Sequence, residues 1–199
     1  MPRQDSSPVT ILSYNSTGFP VQRQAYIRKL QLFSDVICGQ ENFQLKNCKF
    51  RISNIFSDTF DFFFKPAVKA NSTLGQGRPK GGLFIAWKKS QVKKATRIVC
   101  DNFRTQAVIL EYSNCKLLLI NTYFPCDSQK INLTDLGSAE LHNLLNTIFS
   151  LKQKYSQKFD TSIVVGDLNF DDVRYTGHTQ AVNNFLEKKD YLQFGKYFQ

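Results

Sequence analysis

Asn15, Glu41, Tyr123, Asp167 and Asn169 share one placement: each follows a short apolar run in the chain direction. Val9–Tyr14 leads into Asn15, Val36–Gly39 into Gln40 and Glu41, Leu117–Ile120 into Asn121 and Tyr123, and Ile163–Val165 into Asp167 and Asn169. Two carboxylates and two amides offer oxygen donors. A hard cation such as Mg²⁺ prefers that set, taking few carboxylates and completing its shell with water and phosphate oxygens. Beside a phosphate such a cation polarises it, offsets the charge that develops during displacement, and helps a water attack. Singly, each residue also has a plain reading. Asp167 could form a turn or cap a helix, Glu41 could cap or pair with a surface lysine, and Tyr123 could be core. Their common placement favours one shared site.

Convergence requires the four runs to be neighbouring strands with their tips at one edge, where α/β folds place sites. The pattern supplies the elements. Val9–Asn15 alternates apolar and polar residues as a strand does. A helix follows, with Tyr26, Ile27, Leu30 and Phe33 on one face. Asp35–Asn42 reads as a short buried strand. Lys80–Lys89, Gln106–Tyr112 and Lys116–Phe124 are strand candidates, the last two joined through a Ser113-Asn114 turn. Leu141, Leu144, Leu145, Ile148 and Leu151 have helical spacing over 138–155. The strand Ile163–Val165 is expected to be broken by Gly166, and a shorter helix is expected over 179–189. Strands inside and helices outside make a layered α/β architecture, a two-sheet sandwich flanked by helices.

Composition agrees. A chain of 199 residues suffices for one domain with a core, and 14% aromatics argue against wholesale disorder. No apolar stretch reaches the ~18 residues of a membrane span. The first ten residues lack the apolar segment of a secretory signal, so an intracellular, non-secreted protein is expected. A formal net charge of +10 favours a polyanionic partner, nucleic acid first. Cys38, Cys48, Cys100, Cys115 and Cys126 form no C-x-x-C pair, which argues against zinc and for reduced thiols. Asn-x-Ser/Thr triplets at Asn15, Asn71 and Asn132 read as chance matches in such a protein.

Five blocks carry a resemblance: "ILSYNSTGF" (11–19), "DVICGQEN" (35–42), "GRPKGGLFIAW" (77–87), "LLINTYFP" (118–125) and "SIVVGDLN" (162–169). In this order they are similar to the endonuclease/exonuclease/phosphatase, or DNase I-like, superfamily. They most resemble the apurinic/apyrimidinic-endonuclease-like domain of LINE-type (non-LTR) retrotransposons. The resemblance implies a four-layer α/β sandwich and Mg²⁺-dependent cleavage of DNA phosphodiesters, with Mn²⁺ as an alternative ion. By position it makes Glu41 the metal ligand and Asn15 its support. Tyr123 would contact the scissile phosphate, Asp167 would orient or activate the attacking group, and Asn169 would hold the phosphate or that water. Arg78 and Lys80 would touch the DNA backbone, unless they are simply a solvated basic loop. DNA, a downstream reverse transcriptase and a nuclear place of action follow as expectations.

The family's terminal Ser-Asp-His block has no counterpart here; the two histidines are His142, in the expected 138–155 helix, and His178. The sequence therefore predicts a flexible tail over 1–8 and a C-terminally incomplete domain over 9–199, with impaired or absent catalysis. A non-catalytic nucleic-acid-binding module on the same fold, or another phosphoesterase of the superfamily, remain alternatives.

Overall fold

The structure is a computed structural model describing residues 8–56, 58–69, 77–125 and 136–169. The expected helix over 179–189, His178, Cys126 and most of the N-terminal tail lie outside the described residues.

The strands are β1 (Ile11–Asn15), β2 (Val36–Gln40), β3 (Phe60–Lys65), β4 (Leu83–Lys88), β5 (Lys94–Ile98), β6 (Thr105–Glu111), β7 (Lys116–Tyr123) and β8 (Thr161–Asp167). The helices are α1 (Val21–Leu30), the short α2 (Lys49–Ser53) and α3 (Leu136–Lys154). Two four-stranded sheets form, ordered β1-β2-β4-β3 and β5-β6-β7-β8. Each is mixed. β1 and β2 run parallel, as do β7 and β8, and the remaining pairs are antiparallel.

The two-residue period of the strands sorts their side chains into layers. Val36 and Cys38, Ile85 and Trp87, Val108 and Leu110, and Leu117 and Leu119 pack together between the sheets. The alternate residues Ile37, Phe84 and Ala86 pack outward with Ile27 of α1 and Ile52 of α2. Ala107, Ile109, Leu118 and Ile120 pack outward against Leu141, Leu144, Leu145, Ile148 and Leu151 of α3. The result is helix, sheet, sheet, helix: the expected four layers. Each fully buried Leu or Ile in these rows contributes about 1.5–3 kcal/mol by leaving water.

Two expectations are corrected. On α1 only Ile27 is fully buried; Tyr26 is half exposed against Tyr14, and Phe33 lies past the end of the helix, 73% exposed. Gly166 does not break the strand but sits inside β8, with φ +143°. A Cβ there would run into the Thr122 carbonyl of β7, so glycine is what lets the two strands close up at the site. Two strands also lack a clear signature. β3 (FDFFFK) is aromatic on both faces, and β5 (KATRI) is a polar edge strand that buries only Ile98 fully. The Ser113-Asn114 turn between β6 and β7 forms as expected, closed by Tyr112 N–H donating to the Cys115 carbonyl at 2.8 Å.

Candidate metal–phosphate site

Because β1 pairs with β2 and β7 with β8 in parallel, four strand ends meet at one pole of the sandwich. The inward rows of the strands run Ile11–Ser13–Asn15, Val36–Cys38–Gln40, Leu117–Leu119–Asn121–Tyr123 and Val165–Asp167. Each row starts apolar and turns polar towards the same end, that of β1 already at Ser13. The site lies where the inter-sheet core gives out.

Beneath it, a buried amide pair ties the sheets together. Gln40 Nε2 donates to Asn121 Oδ1 at 2.7 Å and to Ser13 Oγ at 3.0 Å. Asn121 Nδ2 donates to the Gly39 carbonyl at 3.1 Å and the Phe84 carbonyl at 3.0 Å. Gln40 and Asn121 are 1% and 0% exposed, so these bonds are made away from water and hold the two strand pairs in fixed relation.

Above it, Asn15 is the centre. Its Nδ2 donates to Glu41 Oε2 at 2.8 Å and to Asp167 Oδ2 at 2.6 Å. Its Oδ1 accepts from the Thr17 N–H at 2.9 Å, which fixes the direction of the amide. One amide nitrogen thus lies between carboxylates from opposite sheets, 152 residues apart in the case of Asp167.

Each carboxylate is aimed differently. Asp167 ends β8 in ladder register with Tyr123 of β7, and its Oδ1 accepts from the Asn169 N–H at 3.0 Å. Asn169, at φ +48°, donates its Nδ2 to the Phe124 carbonyl at 2.7 Å. Glu41 follows Gln40, so strict alternation would turn it away from Asn15. A left-handed backbone, φ +50° at Glu41 and +53° at Phe43, breaks the alternation. The break is held by neighbouring loops. Gly18 N–H donates to the Glu41 carbonyl at 2.7 Å, and the N–H groups of Asn42 and Phe43 donate to the carbonyls of Gly82 and Gly81. A Cβ at Gly82 would collide with the Asn42 side chain.

The donor set fits a hard divalent cation. Glu41 and Asp167 supply oxygens close enough to share one amide nitrogen, and one or two carboxylates are the usual Mg²⁺ complement. Among the described residues no group of three His, Cys, Asp or Glu side chains gathers. The four described cysteines are free.

The structure therefore brings Asn15, Glu41 and Asp167 into direct contact, with Asn169 bonded to Asp167 and Tyr123 beside it. Arg78 sits apart, its guanidinium 3.6 Å from the centroid of the Phe43 ring, two residues from Glu41. Lys80 is exposed and its backbone bridges to Val68. Arg104 joins the pole without having stood out in the sequence: it lies before β6, the strand antiparallel to β7, and its Cζ is 4.9 Å from the Tyr123 ring centroid. Its only sequence signal is its place just ahead of an apolar strand. His142 is exposed on α3.

No protein-family model and no curated protein matches the sequence. Solved structures do. An AP endonuclease from Leishmania major superposes with a TM-score of 0.70 at 14% identity, over 94% of this chain and 69% of that one. The endonuclease domain of a telomere-specific non-LTR retrotransposon gives 0.56 at 14% identity, over 91% and 70%. An endonuclease/exonuclease/phosphatase family protein from Leptotrichia buccalis gives 0.58 at 13% identity, over 91% and 74%. With its two mixed sheets and flanking helices, the chain has the fold of the DNase I-like endonuclease/exonuclease/phosphatase superfamily.

Proposed function

We propose that the chain is a divalent-metal-dependent phosphodiesterase that nicks DNA, of the retrotransposon endonuclease type. The meeting of Glu41 and Asp167 on Asn15 carries this reading. That two structures sharing the fold are an AP endonuclease and a retrotransposon endonuclease domain supports it.

Glu41 is the residue to hold Mg²⁺ or Mn²⁺, which when bound would supply Lewis-acid polarisation of the phosphate. Asn15 sets the spacing of the two carboxylates. Its oxygen is engaged by Thr17, so it serves the centre through its donor end. Asp167 orients the attacking water through the oxygen lone pairs not used by Asn15 and Asn169. Asn169 keeps Asp167 in place and ties it to the strand end at Phe124. Tyr123, on the adjacent strand, donates to a phosphate oxygen. Arg78 and Lys80 neutralise flanking phosphates, which makes binding weaken as salt rises. A reverse transcriptase as neighbour and the nucleus as place of action belong to this reading. No described helix is long and apolar enough to cross a membrane.

The test is nicking of supercoiled plasmid with Mg²⁺ by the parent, Glu41→Ala and Asp167→Ala. Nicking by the parent alone supports the enzyme. Salt-sensitive DNA binding without nicking supports a non-catalytic module on the same fold. Nicking that is insensitive to both substitutions or to Mg²⁺ removal would contradict the site.

A further inference from the structure

Arg104 is tied to Tyr123 twice. Its carbonyl accepts from the Tyr123 N–H at 2.9 Å, and its guanidinium carbon lies 4.9 Å from the Tyr123 ring centroid, within cation–π range. The same carbon is 4.9 Å from the Phe103 ring. From the helix layer, Glu140 of α3 accepts from Arg104 Nε at 2.8 Å. The Arg104 side chain is 12% exposed and that of Glu140 41%, so the arginine is largely out of water while its carboxylate partner stays partly solvated. Its Nη1 is buried and has no hydrogen-bond partner among the described residues. An arginine kept only to fill space would be replaced at less cost by an apolar side chain. The guanidinium lies between the Tyr123 ring and the Glu140 carboxylate of α3.

We infer that Arg104, clamped by Glu140, is a positioning residue for Tyr123, setting the orientation of the phenol at the edge of the Asn15–Asp167 centre. This rests on the phosphodiesterase reading, in which the Tyr123 hydroxyl meets the substrate phosphate. It makes α3 part of the catalytic architecture: the helix supplies the carboxylate that holds the arginine that holds the tyrosine. Glutamine at 104 keeps a polar side chain but loses the charge. Lysine keeps the charge but loses the planar fork that reaches ring and carboxylate together.

The experiment measures plasmid nicking and Tyr123 ring ¹H–¹³C spectra on the 199-residue chain and its Arg104→Gln, Arg104→Lys, Glu140→Ala and Tyr123→Phe variants. Arg104→Gln should lower kcat about tenfold with KM within about twofold, the pattern of a misplaced group rather than lost binding. Arg104→Lys should recover part of that loss. Arg104→Gln should cost nothing further once Tyr123 is phenylalanine, because no hydroxyl remains to be oriented. The Tyr123 ring signals should move in Arg104→Gln and in Glu140→Ala. Full additivity of Arg104→Gln with Tyr123→Phe overturns the inference, as do ring signals that stay in place. A parent that does not nick, while the ring signals still move in both variants, matches the impaired catalysis expected of an incomplete domain and leaves the Arg104–Tyr123 coupling standing; a parent that neither nicks nor binds Mn²⁺ overturns the phosphodiesterase reading alone.

Discussion

Glu41 and Asp167 reach the same amide nitrogen from opposite sheets, by different backbone devices. Asp167 is the last residue of β8, still paired across to Tyr123, and a regular strand aims it. Glu41 lies one residue past β2, held in a left-handed conformation by bonds from three other loop positions. A strand end is rigid because its ladder is. A left-handed glutamate is rigid only while its neighbours enforce it, since such a backbone costs of order 1–3 kcal/mol. Asp167 is thus the robust half of the site and Glu41 the half supported by its surroundings.

Removing either carboxylate, by Glu41→Ala or Asp167→Ala, should take whatever Mg²⁺-dependent nicking the parent shows down to background while leaving the melting temperature nearly unchanged. Loss of activity with only one of the two would show that the halves do not form one centre.

Gly166→Ala forces a Cβ into the Thr122 carbonyl and should cost about 3 kcal/mol or more by prising β8 from β7, read as a fall in the urea midpoint. Gly82→Ala meets the Asn42 side chain at φ +88°, and should loosen the Glu41 loop at a cost of about 2 kcal/mol. The contrast lies in what else changes: Gly82→Ala should weaken cation binding beyond its effect on stability.

Asn121→Leu removes the amide that ties the halves together: the Gly39 and Phe84 carbonyls lose its donor, and Gln40 Nε2 keeps only Ser13 Oγ and the Cys38 carbonyl, both on its own sheet. A loss of about 2 kcal/mol is expected in denaturant titration. The smallest effect belongs to the far pole. Burial pushes the Asp35 carboxyl up, but hydrogen bonds from Thr10, Lys88 and Gln91 and the Lys88 charge outweigh it and hold the group below its ordinary 3.8. A carboxyl depressed in the folded state adds stability above its unfolded value and loses it as pH falls through the folded one. Asp35→Asn should cost about 1 kcal/mol at pH 7, with the gap between parent and variant closing below about pH 4.

The halves also differ in how much of them the sequence discloses. β7 and β8 are apolar runs, and α3 repeats leucines at helical spacing, so that side of the sandwich and the place of Asp167 were legible. Asn15, at the end of an alternating strand, was legible for the same reason. The aim of Glu41 was not, because a left-handed glutamate has no sequence signature; only Gly81 and Gly82, some forty residues away, hint at the loop that enforces it. Asn121, one of the polar residues that follow the apolar runs, is fully buried structure, since the inward row turns polar one step before the surface does. Phe33 was misplaced because helical spacing continues on paper after the helix has ended at Leu30. Arg104 was silent because its partners, Glu140 and Tyr123, come together only through tertiary packing.

The central claim is that two sheets build one cation site. Titration of the ¹⁵N-labelled chain with Mn²⁺ tests it directly, since amide signals near the bound ion broaden whether or not the protein turns over. The account predicts that the signals of Asn15, Glu41 and Asp167 broaden together, with one midpoint, and that Glu41→Ala abolishes the broadening at all three. Broadening confined to one sheet's residues, or separate midpoints for Glu41 and Asp167, would contradict it.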